Sequence, residues 1–395
     1  MDISLSHRAQ SIKPSPTLAV TQRAAELRAE GKDIIGLGAG EPDFDTPEHI
    51  KTAAIESLNK GQTKYTAVDG TVDLKNAIID KFKRENNLEY NSNQVLVSCG
   101  AKHSLYNLFQ AVLNSGDEII IPAPYWVSYP DMAKLAGAEP VIIKTTIDDH
   151  FKITPNKLRG AISEKTRMVV FNSPSNPTGV SYTEEELAAL GEVLIEHPDI
   201  LIVTDDIYEH ILWGQDKFVN IVNACPDLYD RTIVVNGVSK AYSMTGWRIG
   251  YVGGPESVIK GMKKIQSQST SNPTSMAQAG AVAALTGPQT YIEESTVIFK
   301  ERHDFVLKSL QAIDGITCIA SEGTFYSFPD MNGLIEKLDG INNDIELAEF
   351  FLEKAEVAMV PGSAFGAPGC MRISFATSME NLEKSMERIK NAVEN

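Results

Sequence analysis

Seven short apolar runs alternate with helical patterns through the middle of this 395-residue chain, and no other feature constrains its fold as strongly. The runs are 94–98, 118–121, 140–144, 168–172, 200–204, 232–236 and 249–253, and the helical patterns include 105–113, 155–162 and 184–196. Strands that alternate with helices favour a mostly parallel sheet with helices on both faces. Because such sheets bind ligands at the carboxyl ends of their strands, residues that follow these runs are candidates for a functional site.

The end of the chain has a different pattern. A long helical pattern covers 291–312, and a second one at 379–393 closes the chain. Between them lie strand-like runs at 324–328, 357–360 and 371–375. The length of the chain also exceeds what one simple core holds, so we expect about two domains.

Composition argues against several classes of protein. The net charge of −16 disfavours a nucleic-acid partner, because binding a phosphate backbone needs a basic surface. There is no apolar run of about 18 residues and no apolar signal core at residues 1–8, so neither a membrane span nor a secretory signal is expected. The four cysteines form no Cys-x-x-Cys pair, and the seven histidines form no H-x-x-x-H pair. We therefore expect a cytoplasmic protein with reduced thiols and no bound metal.

The segment 237–250 reads GVSKAYSMTGWRIG and places Lys240 between small residues just after the run 232–236. Arg248 follows eight residues later. A lysine at a strand end can form a Schiff base with the aldehyde of pyridoxal phosphate, and a nearby arginine can hold the phosphate in a bidentate fork. A single Ser-Lys pair would more simply be a surface lysine in a loop, but a pattern of this length is far more specific.

With further matches from Lys13 to Ser378, this segment resembles the lysine signature of the class I aminotransferases, which are pyridoxal-phosphate enzymes of fold type I. Within that family the residues are most similar to the bacterial aspartate aminotransferases that also act on prephenate. The resemblance implies transfer of the amino group of L-aspartate or L-glutamate to a 2-oxo acid such as 2-oxoglutarate, in a ping-pong reaction, and conversion of prephenate to arogenate. Lys240 would move the substrate α-proton as general base and general acid.

The resemblance also implies an arrangement of domains and subunits. A large pyridoxal-phosphate-binding α/β domain is expected over residues 46–294. Residues 1–45 and 295–395 are expected to come together as a smaller α/β domain. Tyr65 matches the family tyrosine that reaches the phosphate of the neighbouring subunit. A homodimer with shared active sites is therefore expected.

Two adjacent carboxylates, Asp205 and Asp206, follow the run 200–204. Either one could be the partner of the pyridine nitrogen or a solvated acid at a strand end. The resemblance selects Asp205, because the family places a tyrosine three residues after its aspartate and Tyr208 fits. It assigns Asn176 and Tyr208 to the phenolic oxygen of the ring. The implied catalytic residues are therefore Lys240, Asp205 and Tyr208.

The residues 99–104 lie between a strand-like run and a helical pattern, where backbone N–H groups at a helix start can cradle a phosphate. By resemblance this segment is the phosphate loop of the family. Trp126 matches the residue that stacks on the pyridine ring, although a tryptophan in such a segment is otherwise a core or interface residue. The implied contacts to phosphate and ring in these segments are Gly100, Ala101, Lys102, Trp126, Ser239 and Arg248.

Arg372 lies inside the apolar run 371–375, where an unpaired charge is costly, so an anionic partner is expected. From the residues alone this partner is either a protein carboxylate or a ligand, and the resemblance assigns the substrate α-carboxylate. The family uses the positions of Lys102 and Lys13 for the distal carboxylate of a dicarboxylic substrate, whereas a solvated Lys13 is the alternative. The implied substrate contacts also include Gly40, Trp126 and Asn176.

Other functions remain as alternatives. The glycines of 36–40 lack the spacing and the following helix of a dinucleotide-binding turn. An aminotransferase of aromatic amino acids, or a C–S lyase of the same fold, needs the same Lys240 and Asp205. A ligand-sensing module fused to a DNA-binding head is not expected, because only twelve residues precede Lys13. The two cations for a second carboxylate favour the transamination of dicarboxylic amino acids.

Overall fold

The computed structural model describes residues 4–14 and 16–394, which form twelve β-strands. The strands are β1 (Ile35–Gly36), β2 (Val95–Ser98), β3 (Glu118–Ala123), β4 (Glu139–Lys144), β5 (Thr166–Asn172), β6 (Leu201–Asp205), β7 (Thr232–Gly237), β8 (Gly250–Gly253), β9 (Tyr326–Ser327), β10 (Val357–Ala358), β11 (Val360–Pro361) and β12 (Met371–Ser374). Each apolar run of the sequence analysis overlaps at least one of them.

The α-helices account for most of the remaining regular structure. They are α1 (His7–Ser11), α2 (Pro16–Ala29), α3 (Glu48–Asn59), α4 (Val72–Asn86), α5 (Ala101–Val112), α6 (Ser128–Leu135), α7 (Pro155–Ala161), α8 (Glu184–Ile195), α9 (Ile221–Ala224), α10 (Glu256–Ser267), α11 (Ser275–Thr286), α12 (Thr290–Gln311), α13 (Asn332–Lys337), α14 (Asp344–Phe350) and α15 (Met379–Glu394). Short 3₁₀ turns lie at Ser92–Gln94, Ile147–Asp149, Pro226–Arg231, Thr245–Trp247 and Gly362–Phe365, and a π turn at Phe351–Ala355. No helix in residues 4–14 and 16–394 is long and apolar enough to span a membrane.

The central sheet contains seven strands in the order β2-β8-β7-β6-β5-β3-β4. All neighbours are parallel except β8, which runs antiparallel to β2 and β7. Strands β2, β7 and β8 are buried at every residue, as expected of short apolar runs covered on both faces. Separate apolar clusters pack around the sheet, one including Val97, Val169 and Val234, the other Leu96, Val170 and Val235. The predicted α/β class with a mostly parallel sheet is confirmed.

Local sequence signals explain where individual helices begin. Helix α8 starts at a capping box, in which the Thr183 side chain accepts the backbone N–H of Glu186 and the Glu186 carboxylate accepts that of Thr183. Helix α5 starts directly after Gly100, whose φ of +90° is unfavourable for other residues. The structure therefore places the first turn of α5 immediately beyond the carboxyl end of β2.

A second body of structure joins the two ends of the chain. Strand β1 pairs in parallel with β10, and β11, β12 and β9 form an antiparallel sheet. Leu37 lies in the same apolar cluster as Phe299, Met371 and Leu382. The predicted run 324–328 contains only the two-residue strand β9, since Thr324 has a positive φ of 66° that interrupts extended structure. The domain boundaries at residues 46 and 294 stay a prediction.

Candidate active site

A cavity of about 420 Å³ lies at the carboxyl ends of the central strands. It receives residues from the central sheet, from the loops that follow its strands, and from both ends of the chain. Most of the predicted site residues line it, namely Gly40, Ala101, Lys102, Trp126, Asn176, Asp205, Tyr208, Ser239, Lys240, Arg248 and Arg372. The structure therefore brings together residues that are as far apart in the sequence as Gly40 and Arg372.

Lys240 enters the cavity from the loop that follows β7. Its ammonium nitrogen donates a hydrogen bond to the backbone carbonyl of Gly40. Burial lowers the pKa of Lys240 to about 8, and the positive charges of Arg372 and Arg248 act in the same direction. An amine with this pKa is partly neutral near physiological pH, as a nucleophile or a proton carrier must be.

Asp205 is the last residue of β6 and is buried. Its Oδ2 atom accepts a hydrogen bond of 2.6 Å from the phenol of Tyr129, whereas Oδ1 has no partner. Burial raises the pKa of Asp205 to about 6, and the Tyr129 hydrogen bond and the charge of Lys240 oppose that rise. An unpaired, buried carboxylate oxygen at the cavity is where a protonated ring nitrogen would find an acceptor.

Asp206 does not line this cavity. It accepts hydrogen bonds from the hydroxyl of Thr204 and, at 3.1 Å, from the side-chain amide of Asn220. Burial, together with the neighbouring charge of Glu209, raises the pKa of Asp206 to about 8. The choice between the two adjacent carboxylates thus follows from geometry, since successive side chains along an extended chain point in opposite directions.

Arg372, on β12, is 2 % exposed and forms no ion pair with a carboxylate among the residues that the structure describes. Its Nη1 and Nη2 atoms donate to Asn176 Oδ1 at 3.0 Å and to the Gly38 carbonyl at 2.7 Å, while Nε has no partner. The ring of Tyr326 lies 4.5 Å from the guanidinium carbon. Within residues 4–14 and 16–394, Arg372 therefore has no structural salt bridge of the kind considered from the sequence, and this buried cation faces the cavity without an anion.

Tyr208, Tyr326 and Asn176 line the same cavity as Arg372 and Asp205. The hydroxyl of Tyr208 lies 3.0 Å from that of Tyr326, and burial holds the pKa of Tyr208 well above its usual range. Asn176 is held through its backbone N–H, which donates to Asn172 Oδ1 at 2.8 Å. These contacts fix polar side chains that face the same space as Lys240.

The start of α5 forms one end of the cavity. Ala101 and Ser239 line the cavity there, and the guanidinium of Arg248 donates to the Thr245 carbonyl at 2.8 Å and to the Cys99 carbonyl at 3.4 Å. Gly100 is not part of the cavity wall, but a Cβ atom at this position would lie 2.3 Å from Nη2 of Arg248. Free backbone N–H groups at a helix start, beside an arginine, suit a phosphate group.

Lys102 lies where this cavity meets a second one of about 490 Å³, which Lys13 also lines. The Lys102 ammonium lies 4.9 Å from the ring centre of Trp126, and burial together with the charge of Arg248 lowers its pKa. Lys13 contributes to the second cavity and not to the first. Lys102 therefore lines both cavities, whereas Lys13 lies outside the cavity that contains Asp205 and Arg372.

Tyr65, like Gly100, is a predicted site residue that lines neither cavity. Its side chain is 93 % exposed. An aromatic side chain of this size normally buries part of its surface, so its exposure within a single chain is notable. Its predicted contact is with the neighbouring subunit.

Several lining residues were not among the sequence predictions. Tyr129 and Tyr326 contact Asp205 and Tyr208 through their hydroxyl groups. Tyr129 follows Trp126 by three residues, which is helical spacing and the one sequence signal that pointed to it. Thr17, Leu18 and Thr21 of α2 also line the cavity, and their positions carried no signal because nothing local connects α2 with the central sheet.

A cluster of possible metal ligands lies outside the cavity. Glu85, Glu209 and His210 bring their ligand atoms within 4.8 Å of one another. The ammonium of Lys81 hydrogen-bonds to Glu209 and lies 3.6 Å from Glu85. A cation is therefore already present among these carboxylates, and we assign no metal to them.

The cavity has the donors and acceptors that pyridoxal phosphate requires. Asp205 Oδ1 is an unpaired acceptor for a ring nitrogen, Lys240 offers an amine, and α5 with Arg248 offers phosphate donors. Because Gly100 has no side chain, the guanidinium of Arg248 has room beside it. The residues therefore fit this cofactor, and the fold and site together define a pyridoxal-phosphate enzyme of fold type I.

Known proteins agree with this class. The chain matches the family described as aminotransferase class I and II over residues 32–389. It is 59 % identical over 392 residues to an aspartate/prephenate aminotransferase of Nitrosomonas europaea, covering 98 % of this chain and 99 % of that relative. The chain therefore belongs to the class I and II aminotransferases, which depend on pyridoxal phosphate.

Solved structures show the same fold. An aspartate aminotransferase from Rhizobium meliloti superimposes with a TM-score of 0.96 at 47 % identity, covering 100 % of this chain and 99 % of that one. An aspartate aminotransferase from Thermus thermophilus with maleate has a TM-score of 0.92 at 42 % identity, covering 99 % and 100 %. The predicted family and fold type are confirmed.

Proposed function

We propose that this protein is an aspartate aminotransferase that also acts on prephenate. It transfers the amino group of L-aspartate or L-glutamate to a 2-oxo acid such as 2-oxoglutarate. The observation that carries the proposal is Arg372, a buried guanidinium that has no carboxylate partner in the described part of the chain and faces the same cavity as Lys240. An α-carboxylate supplies the missing anion and places the substrate beside the lysine amine.

The names of similar proteins support the choice of substrate. The Nitrosomonas europaea relative is an aspartate/prephenate aminotransferase, and the Thermus thermophilus structure is an aspartate aminotransferase with maleate, a dicarboxylate. In this chain Lys102 lines the cavity that contains Arg372, and Lys13 lines the second cavity, which Lys102 also borders. Two separate cationic positions suit a substrate with two carboxylates, such as aspartate, glutamate or prephenate.

Lys240 acts as the proton carrier in this proposal. When bound, pyridoxal phosphate supplies an aldehyde for the amino group and a ring that accepts electrons. The pKa of about 8 leaves part of the Lys240 amine neutral, so that Nζ takes the proton from the substrate α-carbon and later gives a proton back. The same site serves the amino acid and then the 2-oxo acid, which gives ping-pong kinetics.

The other side chains hold the reacting groups in place. Asp205, whose Oδ1 is unpaired, would hold the ring nitrogen of the cofactor, and Tyr208 and Asn176, which line the same cavity, would hold its ring oxygen. Arg372 binds the α-carboxylate as a fork, with Asn176 and Gly38 already fixing two of its nitrogens. Trp126 provides a flat surface for the ring, while Ala101, Ser239 and Arg248 surround the phosphate end.

We also propose a homodimer in which Tyr65 of one subunit completes the site of the other. Tyr65 is 93 % exposed and lies outside the cavity of its own chain. Exposed apolar side chains elsewhere on helices α2, α3 and α4 include Leu18, Ile55, Leu58 and Val72. Surfaces of this kind favour association with another protein chain.

The primary test is a panel of half-reactions followed by the cofactor's absorbance. Purified holoenzyme mixed with aspartate, glutamate or prephenate should convert its cofactor to the amine form and release a 2-oxo acid. Borohydride reduction followed by peptide mapping should place the cofactor on Lys240. Release of a thiol from a cysteine conjugate, without reaction of aspartate, would instead identify a C–S lyase.

Substrate choice is tested with three variants. Lys102→Met and Lys13→Met should lower kcat/KM for dicarboxylic amino acids by about ten- to a hundredfold and spare monocarboxylic ones, because one charge-assisted hydrogen bond is lost. We expect Lys13→Met to affect prephenate most. Arg372→Lys is the matched control, because it weakens both classes of substrate alike. An unchanged dicarboxylic to monocarboxylic ratio in both methionine variants contradicts the assignment of the lysines.

A further inference from the structure

The phenol of Tyr129 is the side chain that holds Asp205. It donates to Asp205 Oδ2 at 2.6 Å, and Oδ1 of the same carboxylate has no partner. We propose that Tyr129 is a positioning residue, which fixes Asp205 so that its second oxygen faces the ring nitrogen of the cofactor and keeps this carboxylate ionised. This inference rests on the proposed function, in which Asp205 is the partner of that nitrogen.

The local structure couples this phenol to the stacking surface for the ring. The backbone N–H of Tyr129 donates to the Trp126 carbonyl at 3.1 Å, and the two rings meet edge to face with centroids 5.3 Å apart. Tyr129 belongs to α6 and is buried, so its phenol has little freedom to leave Asp205. The turn from Trp126 to Tyr129 thus positions both the proposed stacking surface for the ring and the carboxylate proposed to hold its nitrogen.

The chemistry of a phenol suits this role. Burial and the nearby charge of Asp205 hold the pKa of Tyr129 well above its usual range, so the hydroxyl stays a donor throughout the working pH range. A hydrogen bond to the ionised carboxylate opposes the effect of burial, which raises the pKa of Asp205. Besides the phenol of Tyr129, the backbone N–H of Ile207 and the charge of Lys240 lower the pKa of Asp205. Without the phenol the carboxylate becomes more basic and draws the proton away from the ring nitrogen.

The test is a double-mutant cycle of Tyr129→Phe and Asp205→Ala. The measured quantities are the dissociation constant of pyridoxal phosphate from the cofactor-free protein and the pH titration of the holoenzyme absorbance. In the wild-type background we expect Tyr129→Phe to weaken cofactor binding about tenfold, to shift the titration, and to lower kcat more than it changes KM. In the Asp205→Ala background the same change should have no effect.

Tyr90→Phe is the matched control, since Tyr90 is a buried tyrosine whose hydroxyl has no partner and lies outside the site. Equal losses from Tyr129→Phe in both backgrounds would show a packing role and overturn the inference. An unshifted titration would overturn it as well. If Asp205→Ala itself leaves cofactor binding unchanged, the proposed role of Asp205 fails, and the inference fails with it.

Discussion

At the scale of single residues, the end of β6 shows how adjacent identical side chains acquire different chemistry. Asp205 keeps one carboxylate oxygen open to the cavity, while both oxygens of Asp206 accept hydrogen bonds. Burial raises the pKa of both, to about 6 and about 8 respectively. Only Asp205 therefore offers a free acceptor to a ligand, and Asp206 serves the interior of the fold.

This difference predicts that an Asp→Asn substitution affects catalysis at position 205 and stability at position 206. Asp205→Asn should lower kcat by about a thousandfold, because electrostatic stabilisation worth about 4 kcal/mol is lost at the ring nitrogen. Asp206→Asn should retain kcat but lower the free energy of unfolding, because an amide has one acceptor oxygen and cannot accept from both Thr204 and Asn220. Stopped-flow half-reactions and urea unfolding measure the two effects. A large loss of kcat in Asp206→Asn but not in Asp205→Asn would show that Asp206, and not Asp205, is the partner of the ring nitrogen.

Lys240 also predicts a pH dependence of stability in the cofactor-free protein. Its folded pKa of about 8 is below the ordinary 10.5, so between these values the unfolded chain binds more protons and stability rises with pH. The destabilising effect is complete below about pH 8. Lys240→Met should therefore raise the free energy of unfolding at pH 7 by at most about 3 kcal/mol, and the gain should shrink towards pH 10.5.

Urea unfolding of the cofactor-free protein at several pH values measures this gain. Lys308→Met is the control, because Lys308 is an exposed residue of α12. A gain for Lys240→Met that is constant with pH would show that the change acts through packing rather than through the charge.

At the scale of structural elements, the loop from β2 into α5 joins backbone conformation to ligand binding. Gly100 has a positive φ of 90°, and its missing side chain leaves room for the guanidinium of Arg248. The loop therefore has two separate reasons for a glycine. One is conformational and is shared with other turns, whereas the other is the space that Arg248 needs at the proposed phosphate site.

Gly100→Ala and Gly116→Ala separate these two reasons. Both positions have a φ of +90°, but nothing lies within 4 Å of a Cβ at Gly116. Both variants should lose roughly 1–3 kcal/mol of stability through backbone strain. Only Gly100→Ala should also weaken the binding of pyridoxal phosphate, because the new methyl group displaces Arg248. Equal cofactor affinity in the two variants would contradict this role, and equilibrium binding to the cofactor-free proteins is the measurement.

At the scale of the whole molecule, the active site depends on parts of the chain that are remote in sequence. Arg372 of β12 reaches Asn176 across 196 positions, and Lys240 reaches Gly40 across 200. The cavity therefore exists only when both ends of the chain are packed against the central sheet. In the proposed homodimer, the exposed Tyr65 would make the active site depend on a second subunit as well.

Subunit mixing tests the shared site. Lys240→Ala and Tyr65→Ala subunits should each have low activity alone, and a refolded equal mixture should regain about a quarter of the wild-type activity, because half of the dimers contain one intact site. The control is a mixture of Lys240→Ala with Asp205→Ala subunits. Its mixed dimers also have one change in each subunit, but each change inactivates the site of its own chain. In that mixture no intact site forms. Absence of recovery in the first mixture would contradict the predicted role of Tyr65.

The sequence alone determined the α/β class, the seven central strands and the candidates that follow them. It did so because strand and helix periodicity, turn residues and the segment 237–250 are local properties of the chain. The family resemblance added roles for residues such as Asn176 and Arg372. Neither source identified Tyr129 as the partner of Asp205, because those residues are 76 positions apart and neither local pattern refers to the other.

Only the tertiary structure decided which groups have partners. Among the residues that it describes, it showed that Arg372 is buried without a carboxylate partner and that Asp205, unlike Asp206, keeps an unpaired oxygen at the cavity. It also placed Lys13 in a second cavity and Tyr65 in solvent. The physical reason is that burial, charge pairing and the pKa values that follow from them depend on all surrounding elements, and packing across the whole chain sets those surroundings.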